Sequence, residues 1–187
     1  MTSTLRAMAV AAASVALVFT LAACAGGAPE PEPAPTESAA GETSVSITTQ
    51  TACDGDEGVT LVVDATALEG GEPQERCLIT EEAVTAGDAL VFAGIETEGT
   101  EEYGDQVVCR VDGLPAEDEA IPAEDGSDYF ETCQAMPAAF AYWSLWVRPA
   151  GGEWAYAQEG LPTLQLEPGD ALGLLFTLHG EPAAPTS

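Results

Sequence analysis

Four cysteines, Cys53, Cys77, Cys109 and Cys133, are spread along this 187-residue chain. Thiols can bind metal, attack a carbonyl or pair with one another. A structural zinc site takes closely spaced thiolates, and no Cys-x-x-Cys occurs here, so disulfides are the expected chemistry. Three connectivities are open. The sequential one, Cys53–Cys77 and Cys109–Cys133, closes two loops of equal separation, each worth roughly 3 kcal/mol through the unfolded state. Hydrolytic chemistry has less to draw on. The chain holds one histidine, His179, and no lysine. Ser127 and Ser144 lie in no Gly-x-Ser-x-Gly turn that would activate a hydroxyl. Carboxylates are plentiful, but no pair stands out for acid–base work. The reading is therefore of a non-enzyme without a cofactor. Glu117, Asp118, Glu119, Glu124, Asp125 and Asp128 could gather around Ca²⁺, as could Asp54, Asp56 and Glu57. Neither run has the spacing of an EF-hand loop, so both are read as solvated surface with no metal.

A fifth cysteine, Cys24, has a different setting. Residues 1–23 contain Arg6, no acid, and an apolar run over residues 8–21 that is too short for a comfortable membrane span. A positive start, an apolar stretch and small residues at its end describe a secretory signal. It closes on Leu21-Ala22-Ala23-Cys24, followed by Ala25-Gly26-Gly27, in the manner of a bacterial lipobox. Cleavage between Ala23 and Cys24 would leave a cysteine whose thiol carries diacylglycerol. Each buried methylene contributes about 0.8 kcal/mol, and two or three acyl chains hold a protein on a bilayer. The expected location is the outer face of the cell membrane, reached through this lipid anchor.

The charge fits such an anchor. Thirty-two Asp and Glu stand against four Arg, for a net charge of -28, and removal of residues 1–23 takes one Arg and no acid, giving -29. Phosphate recognition needs Lys and Arg, so nucleic acid is excluded as a partner. Anionic lipid repels such a chain. With 46% apolar residues the chain is not simply an acidic disordered tail.

Several elements must position these groups. Residues 24–52 alternate Pro with Glu and then turn to Ser and Thr, which predicts an extended, disordered tether. Residues 53–180 form the folded domain, and residues 181–187 a loose tail. Within the domain, residues 58–64 and 76–80 read as strands. Thr85 with Asp88 reads as a helix start, with Val84 and Ala89 at staple positions and Gly94 as the stop. Residues 106–111 form a strand closed by Asp112-Gly113. Residues 140–147 and 153–157 form a hairpin, and residues 172–178 a buried last strand after the turn 168–170. One helix on a mostly antiparallel sheet is an α+β domain.

The hairpin carries the candidate binding residues. Tyr142, Ser144 and Trp146 share one strand face, and Trp143, Leu145 and Val147 the other. The second set is the more apolar and is expected in the core. If 149–152 form the loop, Trp154 and Tyr156 lie opposite Val147 and Leu145 and join that core. Tyr142 and Trp146 would then be exposed or half-exposed, suited to stacking a flat ligand or glycan. The plain alternative is that all five aromatics serve packing.

The succession GVTLVVD, RC, TAGDALVFAG, VVCRVDGLP, YWSLWV, EWAY and LEPGDALGLLF, between residues 58 and 176, resembles an uncharacterised family of exported lipoproteins from high-GC Gram-positive bacteria. That family is similar to the β-grasp-like domain at the C-terminus of transcobalamin and intrinsic factor. The resemblance implies a small β-grasp-like domain with Tyr142, Trp143, Trp154 and Tyr156 at the aromatic positions. It implies a non-enzymatic module that captures a small molecule or docks on a membrane partner such as an importer. The alternative is a cell-envelope structural or protein-interaction module with no small ligand.

Overall fold

The computed structural model describes residues 46–49 and 51–186. Cys24, Ala23 and the rest of the expected signal and most of the tether lie outside them. Twelve strands and one helix are described, in the order β1 (Ser46–Thr49), β2 (Gly58–Asp64), β3 (Pro73–Ile79), β4 (Val84–Thr85), α1 (Ala86–Phe92), β5 (Thr97–Thr100), β6 (Gly104–Val111), β7 (Ile121–Pro122), β8 (Asp128–Tyr129), β9 (Ala141–Arg148), β10 (Ala155–Tyr156), β11 (Gln165–Leu166) and β12 (Ala171–Leu178). The fold is mixed α+β, mostly sheet with one helix. No helix among the described residues is long and apolar enough to cross a membrane.

Six strands form the main sheet in the order β1-β3-β2-β12-β9-β10. The last strand of the chain thus lies in the middle. It runs parallel to β2, with Leu172 beside Leu61, and antiparallel to β9, with Phe176 beside Trp143. All other pairs are antiparallel. Alternation then sorts the side chains. Val59, Leu61, Val63, Leu78, Trp143, Leu172, Leu174 and Phe176 form the buried core with Ala86, Ala89 and Leu90 of α1.

The helix begins and ends where local chemistry requires. The Thr85 Oγ1 accepts from the Asp88 amide at 3.1 Å and donates to the Asp88 carboxylate at 2.8 Å. The Ala86 and Gly87 amides donate to the carbonyls of Leu164 and Leu161, so the first turn leaves few orphan donors. At the far end Gly94 adopts φ +67°, its N–H bonds to Val91 and that of Ile95 to Leu90. That is a Schellman stop, sealed by buried Leu90 and Ile95. The Arg76 guanidinium reaches the Ala93 carbonyl at 2.9 Å, a cation at the negative end of the helix.

The remaining strands build three two-stranded sheets, β4 with β11, β5 with β6 and β7 with β8. The sequence reading places strands 106–111 and 140–147 in one sheet; here β6 pairs with β5 apart from the main sheet. Its turn is as expected: Asp112 at φ 50° and Gly113 at φ 77° reverse the chain, with Val111 and Leu114 exchanging hydrogen bonds of 3.0 and 2.9 Å.

Three boundaries differ from the sequence reading. Strand β1, Ser-Ile-Thr-Thr, lies inside the segment read as tether and pairs along its whole length with β3. β-Branched residues favour a pleated edge even without an apolar period. The segment after Glu181, read as a loose tail, lies on the main sheet, with Pro185 buried over Gly173, whose missing side chain makes the room. The third is register. The turn at 149–152, with Gly151 at φ 67°, is followed by Glu153 and Trp154 before pairing starts. Ala155 therefore faces Val147 and Tyr156 faces Trp146, one residue later than expected, which exchanges the faces.

Two disulfides, Cys53–Cys77 and Cys109–Cys133, tie residues 24 positions apart with Cα separations of 4.8 and 5.5 Å. The sequential connectivity left open by the sequence is the one formed. Replacing Cys53 and Cys77 together by Ser should lower stability by about 3 kcal/mol. Denaturant unfolding measures it, and an unchanged midpoint would contradict a structural role. Gly173→Ala should lift Pro185 from the sheet and raise acrylamide quenching of Trp146 fluorescence; unchanged quenching would show that the tail is not seated there.

Candidate functional site

The cleft that gathers the most sequence-singled residues lies against β9. It has a volume of about 350 Å³ and is lined by Val107, Val108, Met136, Pro137, Ala138, Ala139, Tyr142 and Trp143. Ligand sites commonly span roughly 300–1,000 Å³ and are mostly apolar. No charged side chain lines this one, although the chain carries 32 acids.

Its walls come from two places. Val107 and Val108 belong to β6, and Tyr142 and Trp143 to β9. Residues 136–139 form the third wall, and a buried cluster fixes their approach. Arg110, next to Cys109, is 9% exposed. Its guanidinium donates to the carbonyls of Pro115 at 2.9 Å and Glu131 at 2.6 Å, to Sγ of Cys133 at 2.8 Å and to the Glu98 carboxylate at 2.8 Å. Glu131, 4% exposed, accepts from the Cys133 amide at 2.7 Å and from the Tyr129 hydroxyl at 2.6 Å. The amides of Glu101 and Glu102 donate to the Cys133 and Gln134 carbonyls. The same Tyr129 hydroxyl meets the Ala138 amide at 3.3 Å. A chain of paired groups thus runs from β6 to the cleft wall. Arg is suited to this role because its fork can serve several acceptors in one plane.

Tyr142 and Trp146, the expected ligand pair, are separated by this geometry. Tyr142 is half-buried and lines the cleft. Trp146 is 7% exposed and does not. The Tyr156 ring stacks on it at 4.2 Å, a consequence of the shifted register. Its indole N–H donates to Ser144 Oγ at 3.0 Å, which donates to the Leu175 carbonyl and accepts from Thr177. The face expected to be exposed is therefore a second, smaller core. Trp154, expected in the first core, carries the Arg148 guanidinium over its ring at 4.7 Å. Trp143 is in the core as expected, edge-on to Phe176 and bonded through its indole to the Leu114 carbonyl.

His179 stacks on Phe140 at 5.3 Å, just beyond the end of β12. In the acidic loop, Asp125 accepts from the Ser127 hydroxyl and amide, which hold its carboxyl below the usual range. Among the described residues, Cys109, Glu131 and Cys133 are the group of three that converges closely enough for a metal, and both of its sulfurs are committed to the disulfide.

Sequence reasoning missed Arg110, Glu131, Tyr129 and Met136. Arg110 carried a usable signal: one of four cations in the chain, set inside an apolar strand, must find buried acceptors. Nothing in the sequence brings Met136 to β6.

No known protein family, curated protein or solved structure matches this chain.

Two tyrosines have phenols pushed up to about 12. For Tyr129 the cause is burial, then the hydrogen bond and charge of Glu131. For Tyr156 it is burial, then its bond with Tyr142, with Glu181 adding to it. A raised phenol keeps its proton in the folded state after the unfolded chain has lost it. Stability should thus fall between pH 10 and about 12; a flat profile there by circular dichroism would contradict these environments. Arg110→Met should cost about 3 kcal/mol by stranding buried acceptors, and Arg110→Lys should recover little of it. Full recovery by Lys would show that only the charge matters.

Proposed function

We propose that the protein is a lipid-anchored, non-enzymatic binding domain on the outer face of the cell membrane. The observation that carries the binding role is the charge-free apolar cleft beside Tyr142 on an otherwise acidic protein. The sequence around Cys24 supports the anchor, and two disulfides suit an exported chain. A β-grasp-like identity is supported by the hairpin β2–β3, the helix after it, and the return of β12 parallel to β2 between β2 and β9. Such an architecture leaves the groups around β9 free to differ in what they hold. An importer or another envelope protein is the partner this reading favours. The 62% exposure of Met136 at the cleft suits a protein partner as well as a small molecule.

Met1 and Met8 precede the expected cleavage point, so Met136 is the one methionine of the mature chain. Its labelled methyl NMR signal, with the full lipoprotein in nanodiscs of zwitterionic lipid, reports the cleft directly. Indole, uncharged and apolar, should shift this signal saturably, and Ala139→Trp should abolish the shift. No saturable shift would overturn the binding role. Cys24→Ser should release the protein from the membrane fraction, and its retention there would overturn the lipid anchor.

A further inference from the structure

The main-chain geometry of β9 says more about what the cleft accepts. The Ala157 amide donates to the Leu145 carbonyl at 3.0 Å on the side of β9 where β10 lies. The Ala141 amide bonds to Ala138, at 3.0 Å, away from β12, whereas the His179 amide reaches the Phe140 carbonyl from the β12 end at 2.8 Å. Main-chain groups alternate along a strand. Odd-numbered residues of β9 therefore turn their N–H and C=O outward, and even-numbered residues turn theirs to β12.

Strand β10 pairs only with Val147 and Trp146, so it stops short of the first half of β9. Trp143 is the outward residue there. No strand among the described residues pairs with this half of β9 on its outward side. An unpaired strand edge presents main-chain donors and acceptors, and the partner that suits both at once is another strand. The cleft lies at this edge and is lined by Trp143 itself.

We propose that the cleft takes an extended, cationic polypeptide segment that adds to the outer edge of β9. Alternate side chains of an added strand point the same way. One set would enter the apolar cleft, where a charge has no partner. The other set would face the acidic surface. Glu101 and Glu102 are exposed at the β5–β6 turn, and their amides are tied to the carbonyls of residues 133 and 134 just before Met136. The chain's own cations are occupied: Arg76 by Ala93 and Gln74, Arg110 in its buried cluster, and Arg148 over Trp154. Apolar and cationic residues in alternation therefore fit this edge. The inference rests on the cleft being a binding site and names the chemistry of its occupant.

The test uses the full lipoprotein in zwitterionic nanodiscs, with an end-blocked heptapeptide alternating Lys and Val as probe and the Met136 methyl signal as readout. Two further peptides carry N-methyl groups on the Val amides or on the Lys amides. The unmodified peptide should bind. One N-methylated form should bind as well, and the other, whose blocked amides face β9, should lose about ten-fold through missing hydrogen bonds. Equal binding by all three would overturn strand addition in favour of charge attraction alone. Binding of indole without binding of the peptide would overturn the inference and leave the cleft's binding role standing. Failure of both probes would remove the two together.

Discussion

Strand β12 must be covered on both faces and both edges, and the rest of the fold is arranged around that requirement. Ala-Leu-Gly-Leu-Leu-Phe-Thr-Leu carries no charge, and most of its residues are buried. Its edges are satisfied by β2 on one side and β9 on the other. Its faces are harder to close. The helix has seven residues and buries only Ala86, Ala89 and Leu90, too little to roof a six-stranded sheet. The β5–β6 hairpin and its Arg110 cluster extend that roof through Val108 and Val111. On the other face, Trp146, Tyr156 and Pro185 complete the cover. Trp146, one of the aromatic pair that sequence spacing offers as a ligand platform, is used up in this way.

The parts of this architecture legible in the sequence are those with strong local signals. The β2 and β12 segments are dense in Val and Leu, and Thr85, Asp88 and Gly94 mark the helix at both ends. The turn at Asp112-Gly113 is similarly self-declaring. Two-residue strands such as β4, β7 and β11 have no period to read. Register depended on whether Glu153 belonged to the turn or to the strand. That single residue set Tyr156 opposite Trp146, where its ring helps to bury the indole. Tyr142 remained at a cleft, but for reasons of packing between β6 and β9 that lie far apart in the sequence.

The cleft itself follows from incomplete pairing. β10 supplies two paired residues to an eight-residue neighbour, and β6 approaches the other half without joining it. A gap between sheets, walled by a loop that Arg110 and Glu131 hold in place, is the result. The absence of charge within the cleft sets it apart from the acidic surface of the rest of the molecule.

The central claim is that the first half of β9 has an open edge. Residue-resolved amide hydrogen exchange on the ligand-free protein tests it most directly. Tyr142 and Ser144 turn their amides to β12 and should be strongly protected, together with Leu172 and Leu174 in the sheet centre. The Trp143 amide, lying between them, should exchange markedly faster than both. Protection of Trp143 equal to that of Tyr142 and Ser144 would contradict the account, because it would mean that this edge already has its partner.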